Sequence, residues 1–226
     1  GPLAGTLYIP SLIKDISMLK SLREFSVKTA RAKQLISVFS GDQYCVSTQS
    51  TTDTKLPENC IDYIFTDPPF GNNLNYSELS FLWEAWLKVE TNNKDEAIVN
   101  DVQKKGLTEY QDLMERCFKQ YYKALKPSRW ITIEFHNSQN SVWAAIQEAI
   151  QRAGFIVADV RTLDKKQGSF KQVNNSNATK QDLVISAYKP RESFVREFQQ
   201  RAGDPDMAWA FVRQHLHNVP VTADGN

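Results

Sequence analysis

The sequence predicts an α/β fold, with a mostly parallel sheet closed by a terminal antiparallel hairpin and flanked by helices. Three observations predict it. Strand-patterned and helix-patterned segments alternate from Ile61 to Tyr188, the order expected of a sheet wound through crossover helices. The last two strand patterns, Phe155–Val160 and Leu183–Tyr188, are joined by a Gly/Ser/Asn-rich stretch instead of a helix and can pair as a hairpin. A chain of 226 residues, 41% of them hydrophobic, can bury one substantial core.

Each element has its own local reason. After an extended opening (Leu7-Tyr8-Ile9-Pro10), Met18, Leu22, Phe25, Ala32 and Ile36 recur at the spacing of one helix face. The other face carries Lys14, Lys20, Arg23, Lys28, Arg31 and Lys33 against Asp15 and Glu24; it reads first as a solvated surface and second as a phosphate-facing one. Tyr44–Thr48 is a short strand candidate, and Pro57-Glu58-Asn59 marks a turn. Ile61–Thr66 is β-branched and aromatic, the pattern of a buried strand, and it must stop at Asp67-Pro68-Pro69 because proline has no N–H for the ladder. Leu79, Phe81, Leu82, Trp83, Ala85, Trp86 and Leu87 predict a largely buried helix capped by Ser77, with the tryptophans in the core.

Residues 91–105 are polar and read as a flexible connection. Thr108 can cap a long helix ending at Lys126-Pro127, and Trp130–His136 alternates as a strand. Ser141–Ala153, stopped by Gly154, is a helix; the tail from Glu192 to His217 is helical with a break near Gly203-Asp204-Pro205.

Composition removes several function classes. With 27 Lys+Arg against 26 Asp+Glu the net charge is +1, so any nucleic-acid contact must come from a local patch. The three cysteines are far apart, without C-x-x-C, which suits a reducing compartment; a cytoplasmic setting is the expectation. No apolar run approaches the ~18 residues of a membrane span, so no membrane partner is expected. Nine glycines contain no G-x-G, so the usual phosphate-cradling loop is missing. The Gly1-Pro2-Leu3 start without Met looks like a protease-cleavage scar and suggests a longer parent polypeptide.

The chemistry lies at Asp67-Pro68-Pro69-Phe70, at the carboxyl end of a strand, where open α/β sheets bind ligands. An exocyclic amino group on a nucleobase is a poor nucleophile because its lone pair is delocalised into the ring. An enzyme that alkylates it needs acceptors aimed at both N–H groups. The Asp67 carboxylate and the Pro68 carbonyl can supply two, held by the restricted backbone of Pro68 and Pro69. Phe70 offers a flat face for a base taken out of its stack.

Asp67-Pro68-Pro69-Phe70 resembles the catalytic motif of the S-adenosylmethionine-dependent amino-methyltransferases acting on DNA, especially the adenine-N6 group of bacterial restriction and defence systems. "LPENCIDYIFTDPPFG" is similar to the run into that motif, "NYSELSFLWEAWL" to the run out of it, and "LKPSRWITIEFHN" and "KQDLVISAYKP" to later strands of the same fold. The resemblance implies a partial Rossmann-like methyltransferase sheet, S-adenosyl-L-methionine as cofactor and DNA as partner, with RNA as the alternative substrate. A third reading is a non-catalytic nucleic-acid-binding or assembly module of the same fold.

Carried over residue by residue, the resemblance gives Asp67 and Pro68 the grip on the amino group and Phe70 the stacking face, while Pro69 completes the catalytic motif. Asn72, Asn73 and Tyr76 come after the motif as candidate base-pocket residues. In the inter-strand loop, Lys166, Phe170, Lys171 and Lys180 are candidate DNA contacts. The family's glycine-containing donor loop and the acidic residue ending its second strand are not in this sequence, so the donor half is expected outside it and the chain alone is expected to be inactive. The domain expectation is a helical flank over 1–43, the target-base half over 44–190 and a helical tail over 191–226. Glu134 and His136 read as structural polar residues near the site. His215 and His217 lack a third ligand, so no metal site is expected. Cys117 sits on an apolar helix face and reads as inert.

Overall fold

The structure is a computed structural model that describes residues 18–36, 45–47, 49–72, 74–137, 139–164, 181–201 and 203–219. The described elements are α1 (Met18–Ile36), β1 (Ile61–Thr66), α2 (Tyr76–Leu87), α3 (Leu107–Ala124), β2 (Leu125–Phe135), α4 (Asn140–Arg152), β3 (Ile156–Asp164), β4 (Gln181–Tyr188), α5 (Glu192–Gln200) and α6 (Pro205–Asn218). They group into two compact units. One comprises the described residues up to Gln49 together with Glu78–Val89; the other comprises Ser50–Ser77 and the described residues from Glu90 onward.

The second unit holds the sheet, in the order β1-β2-β4-β3. β1 pairs with β2 in parallel, while β2 and β3 each pair with β4 antiparallel. Thus β1, β2 and β3 run one way and β4 alone runs against them, inserted between β2 and β3. This is the expected α/β class with its terminal hairpin.

Strand alternation decides which face is dry. Ile131, Ile133 and Phe135 of β2, with Ile185 and Ala187 of β4, are fully buried on one face. Tyr110, Leu113, Met114 and Phe118 of α3 and Val142, Ile146 and Ile150 of α4 close over them. Each of the larger aliphatic and Phe side chains among them contributes roughly 1.5–3 kcal/mol by leaving water. The opposite face carries Tyr63 and Phe65, which stay exposed, with the Tyr63 hydroxyl donating to Thr132 Oγ1 at 2.7 Å.

At the amino end of β1, Lys189 is 4% exposed, and its ammonium donates to Asn59 Oδ1 (2.7 Å), the Tyr122 carbonyl (2.8 Å) and the Leu125 carbonyl (2.9 Å). It also lies 4.7 Å from the centre of the Tyr122 ring. Burial pushes its pKa down. One cation thereby ties the turn before β1 to the end of α3 and the start of β2. In the tail, the Tyr188 hydroxyl sits 3.1 Å from His215 Nδ1.

Several local expectations are corrected. Cys45–Ser47 forms no strand, since an extended segment becomes one only when a neighbour takes up its ladder bonds. α2 is not buried: Trp83 and Trp86 are 61% and 81% exposed, and none of its side chains belongs to the core built by the sheet, α3 and α4. α2 begins at Tyr76, with Ser77 inside its first turn instead of capping it. α3 starts from Gly106, whose N–H donates to the Glu109 carboxylate at 2.8 Å, so Thr108 is not the cap. Ala124 ends α3 and Leu125 already belongs to β2.

The segment 91–105 is not a loose connection. Ile98 is fully buried, Asn100 and Lys105 exchange backbone hydrogen bonds, and the Lys105 ammonium donates to the Asn93 and Glu96 carbonyls at 2.6 and 2.7 Å. No described helix is long and apolar enough to cross a membrane.

Candidate active site

β1 delivers the motif to the carboxyl edge of the sheet. Past Thr66 the ladder ends, Asp67 is exposed, Pro68 is buried, and Pro69 and Phe70 are half-buried. The turn is held from behind, one carbonyl at a time. The Tyr110 hydroxyl donates to the Pro69 carbonyl at 2.6 Å, Asn137 Nδ2 to the Phe70 carbonyl at 2.8 Å, and the Val99 N–H to the Gly71 carbonyl at 3.3 Å. Among the described residues no donor reaches the Pro68 carbonyl.

Gly71 closes the turn with φ +78°, and a Cβ there would stand 3.4 Å from Asn137 Nδ2, so glycine serves both the backbone and the close approach. Asn137 is itself fixed: its Oδ1 accepts from the Gln139 N–H at 2.7 Å and its carbonyl accepts from the Trp143 indole at 2.9 Å.

The Phe70 ring is seated edge-on against Phe135 (5.2 Å, 84°) and His136 (6.3 Å, 65°). His136 Nδ1 in turn lies 2.6 Å from Asp182 Oδ1, and Asp182 is only 5% exposed. The end of β2 and the start of β4 together thus seat the Phe70 ring.

A second support fixes the chain after the motif. Glu96 takes the Ser77 N–H at 2.9 Å, the Ser77 hydroxyl at 2.7 Å and Gln103 Nε2 at 2.9 Å. Burial raises the Glu96 pKa, but the hydrogen bonds from Gln103 and Ser77 outweigh it and keep the carboxyl below its usual range. Tyr76, next to this clamp, has its phenol pKa pushed up by burial and by the nearby Asp67 and Glu96 charges. Tyr76 therefore stands within electrostatic reach of Asp67.

Of the sequence-derived candidates, Asp67, Pro68, Pro69 and Phe70 form one turn, Tyr76 is within electrostatic reach of it, and Asn72 is exposed just after it. Asn73, Lys166, Phe170, Lys171 and Lys180 lie outside the described residues. The sequence reading missed Tyr110 and Asn137. Tyr110 counted only as an apolar face residue; a polar residue directly after a buried strand was the available signal for Asn137. Burial pushes the Cys117 thiol up to about 11, consistent with an inert side chain. Among the described residues no cluster of three His, Cys, Asp or Glu side chains could hold a metal ion.

Tyr110 also gives the site a predicted alkaline limit. Burial raises its pKa far above the ordinary value of about 10. The folded state therefore holds this proton more tightly than the unfolded chain. The stability that results is complete below about pH 10 and is lost as pH rises from there through the raised folded value. Tyr110→Phe is expected to cost about 1–2 kcal/mol at neutral pH, because the Pro69 carbonyl loses its donor, and to flatten the alkaline limb of a urea-midpoint profile. An unchanged limb would contradict this assignment.

Fold and turn together define an α/β domain that presents an acidic and an aromatic side chain at a strand end, on a proline-stiffened backbone. The chain belongs to the DNA methylase family: the family model for N6 and N4 DNA methylases matches residues 61–220, from the first residue of β1 into the tail. No curated protein matches it. Among solved structures, it is similar to a protein from Thermus thermophilus described as a DNA modification methylase (14% identity, 63% of this chain and 51% of that one, TM-score 0.39). The same methylase in complex with S-adenosyl-L-methionine matches at 15% identity over 64% of this chain and 54% of that one, TM-score 0.38. The PvuII DNA methyltransferase, specific for cytosine N4, matches at 16% identity over 61% of this chain and 46% of that one, TM-score 0.39. The chain spans about half the length of these structures.

Proposed function

We propose that this chain is the target-base half of an S-adenosylmethionine-dependent DNA amino-methyltransferase and that its acceptor is adenine N6. The observation that supports it is the division of labour along the motif. The Pro69, Phe70 and Gly71 carbonyls are taken by protein donors, while the Asp67 side chain is exposed at the strand end and no described donor reaches the Pro68 carbonyl. The two acceptors that an amino group needs thus stand just ahead of the three carbonyls that anchor the turn.

Asp67 and the Pro68 carbonyl then accept the two amino hydrogens and turn the nitrogen lone pair out of conjugation with the ring. Phe70 stacks on the base, Tyr76 borders it, and the supports behind the turn remove the cost of ordering it at the moment of reaction. Asn72 and Asn73, with Lys166, Phe170, Lys171 and Lys180 of the inter-strand loop, extend the base and DNA contacts in this reading.

The donor supplies an electrophilic methyl group, but the residues present do not make its site. The chain has no Gly-x-Gly, and β1 is followed by the proline turn instead of a glycine loop. The donor site then belongs to a segment beyond these residues. A calorimetric titration of this chain with S-adenosylmethionine is expected to show no micromolar binding; observing such binding would place a donor site here.

The test of the function is product analysis. DNA incubated with S-adenosylmethionine and the methylase containing this chain should yield N6-methyladenine by mass spectrometry. N4-methylcytosine would overturn the choice of adenine, and methylated RNA with unmodified DNA the choice of substrate.

A further inference from the structure

The charge of this protein is unevenly placed along its sequence. α1 carries Lys20, Arg23, Lys28, Arg31 and Lys33 against Glu24 alone. The helix therefore holds +4 of a chain whose net charge is +1, and everything else balances to −3. For a polyanion, this makes α1 one of the local positive segments on which attraction depends.

The cations are arranged as well as concentrated. Two series of 3- and 4-residue steps, Lys20-Arg23-Val27-Arg31 and Lys20-Glu24-Lys28-Arg31, line one continuous strip. All are exposed. Leu22, Phe25 and Ala32 fall on the opposite side of the helix by the same geometry. Among the described residues no carboxylate lies within ion-pair distance of Arg23, Lys28 or Arg31. In the sheet-bearing unit, by contrast, Lys126 and Arg129 are paired with Asp62, Arg152 with Glu115 and Glu148, and Arg201 with Glu197 and Asp204. A cation already held by a carboxylate has little left to offer a phosphate.

We propose that the Lys20–Arg31 face of α1 is a docking strip for the phosphate backbone of duplex DNA. It rests on the reading above only in taking DNA as the substrate. The strip is about 16 Å long at the standard helical rise, and that length of duplex presents about nine phosphate charges. The contact is one of charge, so it anchors the substrate without reading its sequence. An anionic membrane surface is the competing occupant of a basic amphipathic helix; membership of a DNA methylase family favours the nucleic acid.

The test compares the full chain with a variant carrying Arg23→Gln, Lys28→Gln and Arg31→Gln. These side chains are exposed, so helix content by circular dichroism should be unchanged. Fluorescence anisotropy with a 24-base-pair duplex should show at least tenfold weaker binding by the variant at 0.1 M salt. Each phosphate contact adds ~0.9 to the salt slope, so the wild type should lose ~40-fold more affinity than the variant between 50 and 200 mM salt.

Equal slopes overturn the proposal, and so does a wild-type chain that does not bind the duplex at 50 mM salt. It is also overturned if phosphatidylserine vesicles capture the wild type but not the variant while duplex affinity stays equal. Asp67→Ala is read by methylation and the strip variant by the salt slope, two separate measurements. Loss of methylation in Asp67→Ala alongside equal salt slopes would therefore remove the strip and keep the site. An altered slope with full methylation by Asp67→Ala would do the reverse.

Discussion

Asp67→Ala in the methylase that contains this chain is expected to abolish methyl transfer and leave the fold intact. Asp67 is exposed and lies outside the hydrophobic core, and the turn that carries it is held through main-chain carbonyls by Tyr110, Asn137 and the Val99 N–H. A surface substitution of this kind normally changes stability by less than about 0.5 kcal/mol. Removing one preorganised electrostatic group from a reacting centre normally costs about 10²–10³ in rate. The expected signature is a kcat loss of at least that size with an unchanged thermal midpoint.

Asp67→Asn keeps one acceptor oxygen but not the charge, and should retain part of the rate. Phe70→Ala should act mainly on KM, since a stacking face contributes about 1–3 kcal/mol to base binding. Methylation surviving in Asp67→Ala at the wild-type rate would end the catalytic assignment.

The largest stability effect is expected at the other end of β1. Lys189→Met removes an ammonium that satisfies Asn59 Oδ1 and the Tyr122 and Leu125 carbonyls. Methionine fills a similar volume, so the change isolates the loss of the donor from the loss of packing. Neutral acceptors left buried and unpaired cost about 1–3 kcal/mol each, part of which is returned because no charge is any longer buried, for a net loss of about 3 kcal/mol. For a domain of this size that corresponds to a thermal midpoint lower by about 10 °C. A midpoint within about 2 °C of the wild type would show that the three acceptors find other donors and that the clamp is redundant.

Local chemistry explains which parts were legible in the sequence. Ile61–Thr66 and Trp130–Phe135 announce themselves because their alternation or β-branching is strong and short-range. The end of β1 is fixed by two prolines, whose lack of an N–H acts wherever they stand. The insertion of β4 between β2 and β3 leaves no trace in either strand's pattern, because a strand's order in the sheet is decided by its neighbours.

α2 misled for the complementary reason. Phe81, Leu82, Trp83 and Trp86 are the residues of a buried helix, yet they are exposed; hydrophobicity states a preference and does not name what covers it. Within the site, Asp67 and Phe70 were legible because they belong to a short contiguous motif at a strand end. Tyr110 and Asn137 were not, since their partners are main-chain carbonyls 41 and 67 residues away along the chain.

The place of β4 in the sheet also sets an order of events on the ribosome. β2 and β3 are consecutive along the chain but share no edge; each is joined to β4. A nascent polypeptide that has emerged as far as Asp164 can pair β1 with β2 and close α3 and α4 over them, while β3 has no strand to bind. The sheet becomes continuous, and His136 meets Asp182, only when residues 181–188 arrive. Contacts of such long sequence separation form late, so the seat of the Phe70 ring is completed only when β4 arrives.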